Sequence, residues 1–239
     1  MLLESIIYAL SLPATPGAFR PHLAEAVGLW ARGERQLEAW APHIARTRGL
    51  IDTQIDRLPQ RRTVAILGSG PLFDVPLEAL ARTFGTVLLI DQAHLATTSR
   101  RVKRYPNVRR LWHDLSAATN PHHLDFLGAV PGLDWVISVN LLSQLARSAP
   151  EGNEREVVDA HLAGLGALPC PATLVTDFCY RLYDRDDNAM QRFDLLYGRA
   201  MPPFDQHWRW EVAPFGEEAA QTRRVHSVGA WLDWHKSVA

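Results

Sequence analysis

The sequence predicts an α/β protein: a doubly wound, mostly parallel Rossmann-like sheet of seven strands, with a C-terminal antiparallel hairpin and an N-terminal helical cap. Three observations predict it. Short uncharged runs rich in Val, Ile, Leu and Thr alternate with amphipathic stretches from Thr63 to Phe178, and strands of that texture are those covered on both faces of a parallel sheet. The first run ends in Gly68-Ser69-Gly70, where glycines allow a strand to turn sharply into a helix. The last two runs alternate at period two, as antiparallel strands with one wet face do.

The elements follow in order. Met1–Ala18 contains a short apolar stretch that carries Glu4 and has no basic residue ahead of it, whereas a secretory signal needs a positive leading region. Across residues 17–58, Leu23, Val27, Trp30, Leu37, Trp40, Ile44, Leu50, Ile51 and Ile55 recur at helical spacing. Gly33 is expected to break this segment into two helices. Pro59 ends it, since proline disfavours helix in the residue before it. Residues 1–60 therefore read as a cap and residues 61–239 as the sheet domain.

Thr63–Leu67, Thr86–Ile90, Val108–Trp112, Trp135–Val139 and Ala172–Phe178 read as strands. Helices are expected at Val75–Phe84, Ala93–Arg104, around His122–Leu127 and at Glu154–Leu168. A further helix is expected at Asn188–Tyr197, inside a polar and aromatic stretch. His207–Val212 and Arg224–Trp231, separated by Gly216-Glu217-Glu218, form the terminal hairpin.

Bulk chemistry narrows the classes. The chain has 25 basic and 26 acidic residues and a net charge of -1, which argues against a broad nucleic-acid or acidic-lipid footprint. The basic run Arg100, Arg101, Lys103, Arg104, Arg109 and Arg110 reads as a solvated helix face and its turn. Cys170 and Cys179 have neither a zinc spacing nor the number for a disulfide framework. A reducing, cytoplasmic setting is expected. No apolar run approaches the roughly 18 residues of a membrane span.

The glycine turn carries the chemistry. A carboxylate closing the next strand, Asp91, stands 21 residues after Gly70, the place from which it can accept both hydroxyl protons of a ribose. A dinucleotide site wants a third glycine where Phe73 stands, and no lysine-bearing phosphate loop is present. A pyrophosphate is thus poorly provided for. An adenosyl group joined to an amino acid is easier to hold.

The stretch Thr63–Leu80, Asp91, His113-Asp114 and the terminal hairpin resembles the class I S-adenosylmethionine-dependent methyltransferases, over about residues 61–235. The resemblance implies S-adenosyl-L-methionine as cofactor. It implies that Gly68, Ser69, Gly70, Pro71 and Leu72 face its methionine part, that Asp91 and Gln92 hold the ribose, and that His113, Asp114 and Leu115 flank the adenine. Asn140 and Leu141 would sit near the sulfonium. Two positions depart from the family pattern: Ile66 stands where an acidic residue is usual, and Leu72 where a third glycine is usual. Gly68–Leu72 is also similar to the glycine loop of nicotianamine synthases, which transfer the aminobutyrate group of the same cofactor.

Methyl transfer is an in-line displacement that needs alignment and exclusion of water, with a general base only when the acceptor carries a proton of high pKa. No fixed triad is therefore expected, and no catalytic residue is assigned. Candidates lie in loops at the carboxyl ends of strands: Asn140, Gln144, Asp177, Tyr180 and Tyr183–Asp187. Trp30, Trp40, Phe19 and His43 are expected either to close over a small-molecule acceptor or, more simply, to pack the cap. His122-His123 reads as a helix face without metal-ligand spacing, and His207 and His226 as packing or rim residues of the hairpin. The other classes are a methyltransferase-like scaffold without turnover and, disfavoured by Phe73, a nicotinamide oxidoreductase.

Overall fold

The structure is a computed structural model that describes residues 2–116, 120 and 122–238. Helices α1 (Leu2–Ser11), α2 (Leu23–Arg35) and α3 (Leu37–Arg57) precede β1 (Thr63–Leu67). Then follow α4 (Leu77–Thr83), β2 (Thr86–Asp91), α5 (Ala96–Val102), β3 (Val108–Trp112), β4 (Leu133–Val139), α6 (Leu142–Arg147) and α7 (Glu154–Gly166). The chain closes with β5 (Ala172–Tyr183), β6 (Ala189–Asp194), β7 (Gln206–Ala213), β8 (Arg223–Trp231) and α8 (Trp234–Val238).

The sheet runs β3-β2-β1-β4-β5-β8-β7, with β6 paired to β5 beside that path. The first five strands are parallel, as in Val64 opposite Val87 and Ile137 opposite Thr173. β8 turns back antiparallel between β5 and β7. This is the expected doubly wound sheet with its reversed hairpin.

Alternation along β1 explains why both faces are covered. Val64 and Ile66 enter one core with Leu50, Ile55 and Leu80 of α3 and α4. Ala65 and Leu67 enter the other, with Val158, Leu162 and Leu165 of α7. Each Leu or Ile buried this way contributes about 1.5–3 kcal/mol. A third cluster joins Ile7 of α1 and Leu23, Val27 and Trp30 of α2 to Ala93 and Leu95, which follow β2. The last turn of α3 thus belongs to the sheet's own core, while α1 and α2 pack on the loop after β2.

Four expectations are corrected. The helices α2 and α3 break at Gln36 rather than at Gly33. Gly33 lies inside α2 because a Cβ there would fall 2.2 Å from the ring of Phe73. Residues around 122–127 give only a 3-10 turn, Asp125–Ala129. Ala96–Val102 is a shorter helix than the stretch from Ala93 to Arg104. The expected helix at 188–197 is instead the strand β6. Its cause is β5, which continues past the parallel sheet to Tyr183 and there accepts β6 on one edge and β8 on the other. Asp184 holds the turn by accepting from the backbone N–H groups of Asp186 and Asn188 at 3.0 and 2.8 Å, and Phe193 stacks on Tyr180. No described helix is long and apolar enough to cross a membrane.

Candidate functional site

The carboxyl ends of the central strands open into a cavity of about 1060 Å³, bounded on one side by α2 and on the other by β7 and β8. Open α/β sheets bind ligands at this end. Pockets for one small molecule span about 300–1,000 Å³, so the volume is sufficient for a nucleoside and a second molecule together.

The turn after β1 forms the floor. Gly68, Gly70 and Leu72 all take positive φ, at 68, 48 and 63°. Gly68 is needed for close packing, since its Cβ would lie 3.0 Å from Leu141. Gly70 is different: a Cβ there would meet nothing nearer than 3.9 Å, so its absence leaves room on the cavity side. The Gly70 N–H donates to Asp91 Oδ2 at 2.7 Å, and the Ala93 N–H to Asp91 Oδ1 at 3.2 Å. Each carboxylate oxygen keeps a second lone pair. From behind, Arg101 Nη1 donates to the carbonyls of Pro71 and Leu72, at 3.2 and 3.1 Å, and Arg48 Nη2 to that of Phe73 at 2.5 Å.

The side wall is built by Gln92, Asp114 and Leu115. Gln92 Nε2 donates to Asp114 Oδ1 at 2.6 Å, and the Ser116 N–H to the same oxygen at 2.8 Å. Gly68, Gly70, Pro71 and Asp91 join this wall, as do Asn140 and Leu141 at the end of β4. Three residues expected at the ligand stay off the cavity. Leu72 is fully buried in the first core, and Ser69 is 2% exposed with no partner for its hydroxyl among the described residues. His113 does not line the cavity, and its ring centroid lies 4.0 Å from that of Phe126 at a tilt of 37°. Ile66 is fully buried between sheet and helices, so a carboxylate at that position would have no cavity to face.

Asn140 adopts φ 51° and lines the cavity. Its Nδ2 donates to Asp74 Oδ2 at 2.6 Å, while its Oδ1 is buried with no partner among the described residues. His43, from α3, lies behind it. Trp208 Nε1 donates to His43 Nδ1 at 3.0 Å. His43 Nε2 lies 3.0 Å from Asn140 Nδ2 and 3.8 Å from Asp74 Oδ2. The His43 ring stacks on Trp210 at 4.0 Å.

The far wall holds a group that sequence reading did not assemble. Asp177, in the middle of β5 just past its parallel pairing with β4, accepts from Ser143 Oγ through Oδ1 and lies 2.6 Å from His226 Nδ1 through Oδ2. A carboxylate only accepts, so Nδ1 carries a proton, and in the neutral form of the ring Nε2 holds the lone pair. That Nε2 is buried with no partner among the described residues, and His226 lines the cavity. Burial disfavours charge on Asp177, yet the hydrogen bond and charge of His226, together with Ser143, hold its carboxyl below the usual range. His226 is thus a cavity residue, not the packing or rim residue its place in a hairpin suggests. Only the tertiary register, with Tyr180 opposite His226, reveals it.

Gln144 also lines the cavity, its Nε2 donating to the Asn140 carbonyl. Tyr180 stacks on His226 at 5.2 Å without reaching the cavity wall. Tyr183–Asp187 is the turn of the β5–β6 hairpin and is removed from it. Trp40 lines the cavity and donates from Nε1 to the Val212 carbonyl at 3.1 Å. Trp30 is buried among α1 and α2 and does not line it, and neither does Phe19. His123 is buried at 3.0 Å from His161, and among the described residues no cluster of His, Cys, Asp and Glu could hold a metal ion.

Polar contacts join the end of α2, where Arg32 and Arg35 line the cavity, and Gln36 to the β7–β8 turn. Arg35 and Gln36 meet Glu217 at 2.8 and 2.6 Å, and Arg32 meets Glu218 at 3.3 Å.

No protein-family model and no curated protein matches the sequence. Solved structures are similar in architecture. The N-methyltransferase NodS from Bradyrhizobium japonicum WM9, in complex with S-adenosyl-L-homocysteine, is 15% identical, with 78% of this chain and 85% of that chain covered and a TM-score of 0.40. The 1,6-didemethyltoxoflavin-N1-methyltransferase of Burkholderia thailandensis is 14% identical over 83% and 86%, at 0.38. A DhpI–SAH complex is 14% identical over 94% and 96%, at 0.40. The cavity, not these neighbours, carries the functional reading.

Proposed function

We propose that this chain is an S-adenosylmethionine-dependent methyltransferase acting on a small-molecule acceptor. The observation that carries it is one cavity in which the Gly68–Gly70 turn and Asp91 face the Asp177–His226 pair. The residues fit the cofactor. Asp91 has lone pairs left for ribose hydroxyls, Asp114 and Leu115 offer a polar and an apolar edge for a base, and Asn140 Oδ1 is an unused buried acceptor for an ammonium. Gly70 leaves open the space that a ligand's amino-acid part requires. When bound, S-adenosylmethionine supplies an electrophilic methyl group on a sulfonium.

The chain's own contribution is alignment and proton removal. His226 Nε2 accepts the proton of the acceptor's O–H or N–H, Asp177 fixes the tautomer and stabilises the imidazolium, and Ser143 anchors Asp177. Such a positioned base contributes about 10²–10⁴-fold. On this reading residues 1–60 cap the cavity, with α2 tied to the β7–β8 turn by the Glu217 and Glu218 contacts. Isothermal titration of the full chain with S-adenosylmethionine, S-adenosylhomocysteine and NAD tests the reading. Binding of both adenosyl ligands but not NAD is expected. Incubation with candidate acceptors should then yield S-adenosylhomocysteine. Release of methylthioadenosine would indicate aminobutyrate transfer, and binding without any turnover would indicate a scaffold.

A further inference from the structure

Beside His226 Nε2, two nitrogen donors at the cavity are also buried and unpaired among the described residues. Trp210 Nε1 and Arg224 Nε have no hydrogen-bond partner among the described residues, and both side chains line the cavity. Trp210 is the direct cross-strand partner of His226, and Arg224 precedes His226 by two residues on the same strand, so the three share one face of the sheet. Buried donors without partners are uncommon in folded proteins and call for an explanation. Set on one face of the sheet in residues that line the cavity, they mark a place where a ligand supplies the missing oxygen atoms.

Neither donor is free to swing toward another partner. The face of Trp210 is stacked on His43 and its ring meets the edge of Trp40 at 5.1 Å. The Arg224 guanidinium lies over the Tyr180 ring at 5.4 Å, with Nη2 held by Glu218 at 2.6 Å. Indole Nε1 and guanidinium Nε only donate, whereas His226 Nε2, with Nδ1 committed to Asp177, accepts. The wall therefore reads two donors beside one acceptor.

We infer that the methyl acceptor carries a carboxylate, held by Arg224 and Trp210, next to the proton-bearing nucleophile that faces His226. This rests on the methyltransferase reading and narrows its acceptor to small acids. Charge separates a carboxylate from a phosphate. Glu218 already offsets Arg224, and Asp177 stands behind His226. A dianion would be repelled by these two carboxylates about twice as strongly as a monoanion, and the two oxygens of a carboxylate match the two donors. Arg147, exposed on the same cavity, adds a cation at longer range. Trp40, Trp210 and Val212 give the acceptor an apolar wall of two indoles set edge to face, which suits an aromatic acid.

The test titrates the full chain, saturated with S-adenosylhomocysteine, with benzoate and salicylate, with benzyl alcohol and salicyl alcohol as controls, and with phenyl phosphate. The acids are expected to bind at least about tenfold more tightly than the alcohols, the scale of a hydrogen bond to a charged group. That preference should vanish in Arg224→Met and fall in Trp210→Phe, while S-adenosylhomocysteine affinity stays within about threefold of wild type. Acids that bind no better than alcohols, or equally well in Arg224→Met, overturn the inference. Preference for phenyl phosphate overturns the choice of carboxylate. Failure of S-adenosylhomocysteine to bind the wild-type chain would instead remove the underlying methyltransferase reading.

Discussion

Replacing Asp91 by Ala removes a side chain that touches both the glycine turn and the start of the β2–α5 loop. In the protein its carboxylate accepts from the N–H groups of Gly70 and Ala93, at 2.7 and 3.2 Å. A hydrogen bond to a charged group is worth about 1.5–3 kcal/mol. Asp91 is half-exposed and borders the cavity, so water takes over much of that role in the variant. The stability loss is therefore about 1–2 kcal/mol, or roughly 2–8 °C in Tm for a chain of this size. Ligand binding loses the same carboxylate a second time, as acceptor for ribose hydroxyls. That costs about 1.5–3 kcal/mol, a rise in Kd of about 10–150-fold. Calorimetric titration with S-adenosylhomocysteine and a thermal scan read the two effects separately. Asp91→Asn, which keeps one acceptor oxygen and turns an amide donor toward the other N–H, should fall between. A folded Asp91→Ala protein whose affinity stays within about threefold of wild type would refute both the ribose contact and the register on which the site is built.

Gly70→Val should abolish S-adenosylhomocysteine binding with the fold kept, because the added side chain enters cavity space; a branched residue at φ 48° is also strained by about 1–3 kcal/mol, so Tm falls as well, and a folded variant that still binds would refute the role of the open turn. Asp177→Asn should favour the His226 tautomer with its proton on Nε2 and lower kcat by about 10²–10⁴-fold, with cofactor affinity almost unchanged in the same titration. Arg101→Met should weaken cofactor binding by about three- to tenfold, through the released Pro71 and Leu72 carbonyls rather than by contact; an unchanged Kd would show that the turn holds without it. Burial pushes His161 down to about 3, with His123 adding to the shift. The unfolded chain then binds the extra proton below about pH 6.5, so stability is full above that pH and falls as pH drops toward 3, by about 2 kcal/mol at pH 5. Urea midpoints at pH 7 and pH 5 check this, and His161→Gln should flatten the dependence. Deleting residues 1–58 should give insoluble protein, since Leu50, Ile51, Ile55 and Leu58 belong to the main core; a soluble, folded remainder would disprove that packing.

By itself the sequence determined the sheet and its floor. Thr63–Leu67 carries its burial in its composition, and both it and Val108–Trp112 appear as strands with the expected limits. Gly68-Ser69-Gly70 and Asp91 are linked by chain spacing alone, because one crossover unit fixes the distance between them. What the tertiary structure decided is everything that joins separate crossovers. Phe73 reads as a missing glycine until α2 closes on it at Gly33. Residues 188–197 have no strand texture of their own and become β6 because the overlong β5 offers an unpaired edge. His226 and Asp177 are 49 positions apart, and nothing local ties them. Their meeting depends on β8 folding back between β5 and β7, and on the bulge that shifts β5 by one residue between Asp177 and Cys179. A strand's pattern tells which face a side chain takes, but register decides what it meets there, and a shift of one residue moves a side chain to the opposite face. The site's floor is a local property of the chain, whereas its base and its unpaired donors belong to the way the last strands return.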